Sequence, residues 1–146
     1  MARSDKDDGV MPGTSGAAAQ GREFWQKLDA FTQEAELRID RPKSTPHPRF
    51  PQYVYPVDYG YLDGTQGGDG EGIDVWRGTG EPHVVGVVAT LDPFKRNAEI
   101  KILFGCLPEE IKSIEDFYDG QPQSALLVIR PSMTLPPGTG ENGQAR

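Results

Sequence analysis

The sequence predicts a small α+β domain, a mixed or barrel-like sheet flanked by two helices, and three observations predict it. First, 18 glycines and 13 prolines in 146 residues make about a fifth of the chain, well above average usage, which excludes a helical bundle and predicts many turns. Second, two segments repeat apolar residues at helical spacing. Third, several short alternating or β-branched runs lie between and beyond them. The length suits one domain with a real core and is too short for two of ordinary size.

The elements follow in order. Phe24, Trp25, Leu28, Phe31 and Ala35 recur at helical spacing while Gln26, Lys27, Asp29 and Gln33 fall elsewhere, so an amphipathic helix is expected here. Residues 36–40 alternate as a strand does. Residues 83–90 are β-branched and nearly all apolar, like a buried strand. In residues 98–104 the alternation puts Glu99 and Lys101 on one face, with Ile100 and Ile102 on the other. A second helix starts at Pro108, carries Glu109 and Glu110 in its first turn, lines one face with Ile111, Ile114 and Phe117, and stops at Gly120. Residues 124–130 make a last apolar strand. Residues 1–21 and 131–146 lack large periodic apolar side chains and read as disordered tails around a folded unit of 22–130.

Several function classes drop out. No apolar run approaches the roughly 20 residues that span a bilayer, and the first 20 residues lack the apolar core of a secretory signal. A net charge of −7 argues against nucleic-acid binding, which needs a basic face. The single cysteine, Cys106, has no partner for a disulfide or a zinc site and reads as a buried thiol. A cytoplasmic protein is the simplest expectation.

The chemistry-bearing stretch is 38–78. Arg38, Arg41, Lys43, His47 and Arg49 face a single acid, Asp40, in a proline-rich extended segment. Then come Asp58, Asp63, Asp69, Glu71 and Asp74 among many glycines, with no lysine or arginine between 58 and 74. Carboxylates hold a hard divalent cation, the cation holds phosphate oxygens, and arginine or lysine neutralises the rest. By composition alone a solvated turn-rich loop is the commoner reading, since acidic turns are common and metal sites rare. The flanking Tyr53, Tyr55, Tyr59, Tyr61, Ile73, Val75 and Trp76 favour a loop anchored on a rigid sheet. Residues 63–74 have the length of an EF-hand loop with Gly68 sixth, but Thr65, Gly67 and the final Asp74 are wrong for it. Neither a dinucleotide fingerprint nor a P-loop nor a GxSxG nucleophile is present. His47 and His83 stand at unrelated spacings and read as structural or exposed, and Trp25 and Trp76 read as core.

In their order, Tyr55-Pro-Val-Asp-Tyr59-Gly60-Tyr61 and Asp69-Gly70-Glu71-Gly72-Ile73-Asp74-Val75 resemble the signature of soluble family I inorganic pyrophosphatases. Residues 39–43 upstream and Leu91-Asp92, then residues 98–103, extend the resemblance over roughly 36–118; it is similar above all to the small bacterial members. The resemblance implies a five-stranded OB-like β-barrel with flanking helices that hydrolyses pyrophosphate to two phosphates with Mg²⁺. It implies Asp69, Glu71, Asp74, Asp92 and Glu99 as metal-binding acids, Glu71 also accepting a proton from the attacking water. Tyr59 and Lys101 are matched to phosphate-binding positions, and Arg41 or Lys43 to the family's arginine. Family members are commonly oligomers, although no patch in the sequence specifies a symmetry.

General chemistry agrees with these roles. A bound divalent metal lowers its water's pKa toward ~7, and Glu99 and Lys101 share a strand face, so that one can reach metal and the other phosphate; an ordinary surface ion pair would have the same spacing. Two departures stand out. Glu71 is one methylene longer than the family's aspartate, and Asp119 follows Tyr118 where the family has a lysine. They leave a second expectation, a metal- and phosphate-binding protein that keeps the fold with weakened catalysis.

Overall fold

The computed structural model describes residues 14–132. In chain order these form α1 (Thr14–Glu34), β1 (Leu37–Arg41), β2 (Asp58–Leu62), β3 (Ile73–Arg77), β4 (Val84–Asp92), β5 (Asn97–Phe104), α2 (Pro108–Tyr118) and β6 (Ser124–Ile129). The α+β class holds, but the sheet differs from the expected closed five-stranded barrel. It is one open six-stranded sheet in the order β1-β2-β3-β5-β4-β6. Only β3 and β5 pair in parallel; the other neighbours are antiparallel.

The reason it stays open lies in how its faces are buried. A closed barrel would wrap one core inside itself, whereas here adjacent residues on each strand serve two cores. Val75, Ile102 and Val87 join Leu62 and Val84 beneath Trp25 and Leu28 of α1. Their neighbours Trp76, Leu103 and Val88 pack instead with Ile114, Phe117 and Tyr118 of α2 and with Tyr55 and Val57. Helices cover both faces, so β1 and β6 remain edges. Beyond α1, its side of the sheet leaves Leu91, Ile100 and Leu126 exposed.

Helix α1 begins at Thr14, so residues 14–21 are helical rather than part of a tail. Ala17, Ala18 and Ala19 bury little, but alanine is the strongest helix former and carries the helix upstream of its apolar stripe. The tail expectation for residues 1–13 and 133–146 lies outside the described residues. Helix α2 starts where the sequence predicts. Leu107 before it has no polar side chain, and Glu110 accepts from the Leu107 N–H at 2.8 Å and from the Thr79 N–H and hydroxyl. That one carboxylate ties the helix start to the chain leaving β3.

Candidate functional site

On the α2 side of the sheet lies an open cleft of about 950 Å³. Its floor is built by strand alternation. Tyr59 on β2, Asp74 on β3, and Glu99 and Lys101 on β5 all line it, while Val75 and Ile102 turn to the opposite core. Glu99 and Lys101 thus share one face, as their spacing predicts.

These four side chains interlock. The Lys101 ammonium donates to Asp74 Oδ2 at 3.1 Å and to Glu99 Oε1 at 3.0 Å. The Tyr59 hydroxyl donates to the same Asp74 Oδ2 at 2.6 Å. The side chain of Lys101 is only 7% exposed, against 23% for Asp74 and 15% for Glu99. Burial works against the lysine's charge, but Tyr118, Asp74 and Glu99 outweigh it and hold Lys101 above the ordinary lysine range. Burial, with Tyr118 and Asp74 adding to it, keeps the Tyr59 phenol well above its usual value, so it stays a donor. Beneath the floor, fully buried Trp76 meets Tyr59 edge-on at 4.7 Å between ring centroids and donates its indole N–H to the Tyr118 hydroxyl at 3.2 Å. The floor therefore stands on an aromatic layer that fixes its geometry.

The walls come from connecting chain. Arg41, at the end of β1, lines the cleft and donates to the Tyr55 hydroxyl at 2.8 Å, its guanidinium carbon 5.8 Å from that ring's centroid. The acidic loop between β2 and β3 supplies Asp69 and Glu71, both exposed. Its base is closed by Thr65, which donates to Leu62 O at 2.8 Å and accepts from the Ile73 N–H at 2.9 Å. Gly68 lays the loop against β5: a Cβ there would collide with the Ala98 carbonyl oxygen. Gly70 turns the loop in the left-handed region, at φ +85°. Asp69 Oδ1 accepts from the Glu71 N–H at 2.9 Å. On the far side, Asp92 accepts from the N–H groups of Phe94 at 2.9 Å and Lys95 at 3.1 Å. The Lys95 N–H, with the Phe94 N–H adding to it, holds its carboxyl below the usual range against the opposing effect of burial.

The structure thus brings Arg41, Tyr59, Asp69, Glu71, Asp74, Asp92, Glu99 and Lys101 to one cleft. Lys43 is not among its lining residues. The Lys43 side chain is exposed and its backbone N–H donates to Asp58 Oδ1 at 2.8 Å, so of the two candidates only Arg41 faces the site. Arg38, counted in the same basic segment, pairs outside it with Asp63 at 2.9 Å and Glu36 at 3.2 Å. Asp40, His47, Arg49, Lys95 and Tyr118 also line the cleft, although none of them was assigned a site role from the sequence. The signal for His47 and Arg49 was the basic run they sit in; nothing local marked Lys95. His47 Nδ1 accepts from the N–H groups of Arg49 and Phe50, and burial, with Arg41, Arg49 and Lys95 nearby, pushes its pKa down. Cys106 is buried and pushed up to about 12 by burial, an unreactive thiol as its apolar context predicts.

A divalent cation was expected among Asp69, Glu71 and Asp74, with Asp92 and Glu99. Among the described residues no three His, Cys, Asp or Glu side chains converge as a group that could hold one. The cause is visible: Lys101 already engages Asp74 and Glu99, while Asp69 binds within its own loop. The donor set itself suits a hard cation. Every candidate ligand is a carboxylate oxygen, and all five line the same cleft.

No family model matches the chain, and no curated protein matches it. Among solved structures it is similar to the crystal structure of an inorganic pyrophosphatase from Neisseria gonorrhoeae. The identity is 20%, the match covers 57% of this chain and 70% of that one, and the TM-score is 0.48. Such a likeness concerns fold over part of the chain, and any reading of the site rests on the residues just described. Among the described residues no helix is long and apolar enough to cross a membrane.

Proposed function

We propose that the protein hydrolyses inorganic pyrophosphate to two phosphates with Mg²⁺ as cofactor. The observation that supports this reading is that the five candidate carboxylates line one cleft with Lys101, Arg41 and Tyr59, above an aromatic core. An anion of several negative charges needs such a mixture: cations for some oxygens, and carboxylates to hold metal against the others. Asp69, Glu71 and Asp74, with Asp92 and Glu99, are the residues that would hold Mg²⁺, which when bound supplies charge neutralisation and a more acidic water.

The chain's own groups take distinct tasks. Lys101 and Arg41 stay charged and bind phosphate oxygens. Tyr59, kept protonated by its surroundings, gives its one hydroxyl proton to a hydrogen bond with Asp74 Oδ2 and so fixes that carboxylate at the floor. Glu71 at the loop tip accepts the proton of the attacking water. Its extra methylene relative to aspartate shifts that oxygen outward, and a misplacement of about 1 Å can cost ~10²-fold in rate.

A second reading draws on one specific feature, the Lys101 bridge between Asp74 and Glu99. If that bridge persists with Mg²⁺ present, the protein binds metal and phosphate with weakened catalysis. Phosphate release from Mg²⁺-pyrophosphate by the wild type, Glu71→Asp and Asp74→Ala separates the two. Hydrolysis predicts turnover in the wild type, a modest change for Glu71→Asp and loss for Asp74→Ala. No release from the wild type or Glu71→Asp, with Mg²⁺ still raising the melting temperature, favours the binding protein.

A further inference from the structure

The floor accounts for a diphosphate, but the cleft is larger than that anion and its mouth is lined differently. One lip is the segment carrying His47, Arg49 and Phe50; the other is the β4–β5 turn carrying Phe94 and Lys95. Both segments line the same cleft as the floor residues. His47 stacks flat on Tyr55, the rings 5° from parallel, and sits 5.4 Å from Phe50. Phe94 is 81% exposed and lines the same opening. The remaining lining includes neutral amides, Asn97 on β5 and Gln123 before β6. Amides offer a donor and an acceptor together. An inorganic diphosphate presents acceptors only, so the amide oxygens have no use for it. A planar heterocycle and its sugar have both kinds of group and two faces to stack.

We propose that the cleft takes a nucleoside diphosphate, its phosphates on the Tyr59–Lys101 floor and its base at the Phe94 and His47–Phe50 lips. This rests on the hydrolytic reading above and extends its substrate class. In the step, a water oxygen bonds to the terminal phosphorus and the anhydride P–O bond breaks. The bridging oxygen leaves with the electron pair on the nucleoside monophosphate, and the water's proton passes to Glu71. The products are nucleoside monophosphate and inorganic phosphate.

The test compares ADP with pyrophosphate in the presence of Mg²⁺, by phosphate release and by calorimetric titration of ADP. The wild type and Phe94→Ala are measured side by side; the exposure of Phe94 makes the variant a safe one for folding. The expected result is ADP turnover by the wild type, with the ratio of kcat/KM for ADP over pyrophosphate falling about tenfold in Phe94→Ala, the scale of one lost stacking contact. Pyrophosphate turnover with ADP neither bound nor cleaved overturns the inference and leaves the proposed function standing. ADP binding weakened about tenfold by Phe94→Ala, with neither compound cleaved, supports the ligand class and ends the hydrolytic reading. An ADP-to-pyrophosphate ratio untouched by Phe94→Ala also overturns the inference.

Discussion

Two regions of the cleft carry the same kind of side chain in opposite states. On the floor, Asp74 and Glu99 project from strands, are mostly buried, and share one ammonium. In the loop, Asp69 and Glu71 are exposed and held by backbone contacts within a few residues. A strand position is fixed by ladder hydrogen bonds and by packing behind it, so a charge placed there must be paired when it folds. A loop position is fixed only by its turns, so its acids can wait for a ligand. The floor acids are therefore tied into the fold's charge balance, whereas the loop acids stand in solvent.

The largest expected break in this comparison comes from Lys101→Met. It leaves the Asp74 and Glu99 carboxylates buried around an apolar chain, which costs about 3 kcal/mol by the behaviour of buried pairs that lose one partner. Urea unfolding checks it, and Mg²⁺ should restore part of the loss if both acids bind metal. A shift below about 0.5 kcal/mol would mean that the floor does not depend on its charge balance.

Gly68→Ala probes the loop instead. The added methyl collides with the Ala98 carbonyl, so the loop must lift from β5. Phosphate release should fall by roughly 10- to 100-fold, as displacement of catalytic groups by about 1 Å does, while the urea midpoint moves far less than for Lys101→Met. Equal losses of rate and stability would erase the distinction between the two regions.

The smallest effect lies at the mouth. His47 has a folded-state pKa below its ordinary value of 6.5 because burial and its cationic neighbours disfavour the proton. The unfolded chain takes up that proton first as pH falls. The stabilisation is therefore complete above about pH 6.5 and is lost progressively below it. Protonation at Nδ1 also removes the acceptor of the Arg49 and Phe50 N–H groups. Urea midpoints measured at descending pH should show a slightly steeper decline in the wild type than in His47→Gln; parallel curves would contradict this.

How much of this was legible in the sequence follows from the kind of signal each part left. Helix α2 and strands β1, β4, β5 and β6 could be read because their periodicity or β-branched runs are local. β2 and β3 were harder: residues 58–62 and 73–77 hold tyrosine, glycine and aspartate in place of a plain apolar alternation, since one face of each belongs to the site. The sheet's open edges were not legible, because closure depends on which helix covers which face, a long-range outcome. For the site, Glu99 and Lys101 were placed on one face by the period of two. The choice between Arg41 and Lys43 was not legible, since it depends on Tyr55 holding the Arg41 guanidinium from 14 residues away. The Lys101 bridge was open from the sequence as a surface ion pair; its burial could not be read, because it is set by Trp76 and Tyr118 packed beneath.

The most direct measurement of the central claim is ³¹P NMR of pyrophosphate incubated with the full chain, with and without Mg²⁺. The account predicts that the pyrophosphate signal converts to inorganic phosphate only when Mg²⁺ is present, and that Asp74→Ala leaves it unchanged. A pyrophosphate signal that persists with the wild type and Mg²⁺, at enzyme concentrations where the fold is intact by circular dichroism, would contradict it.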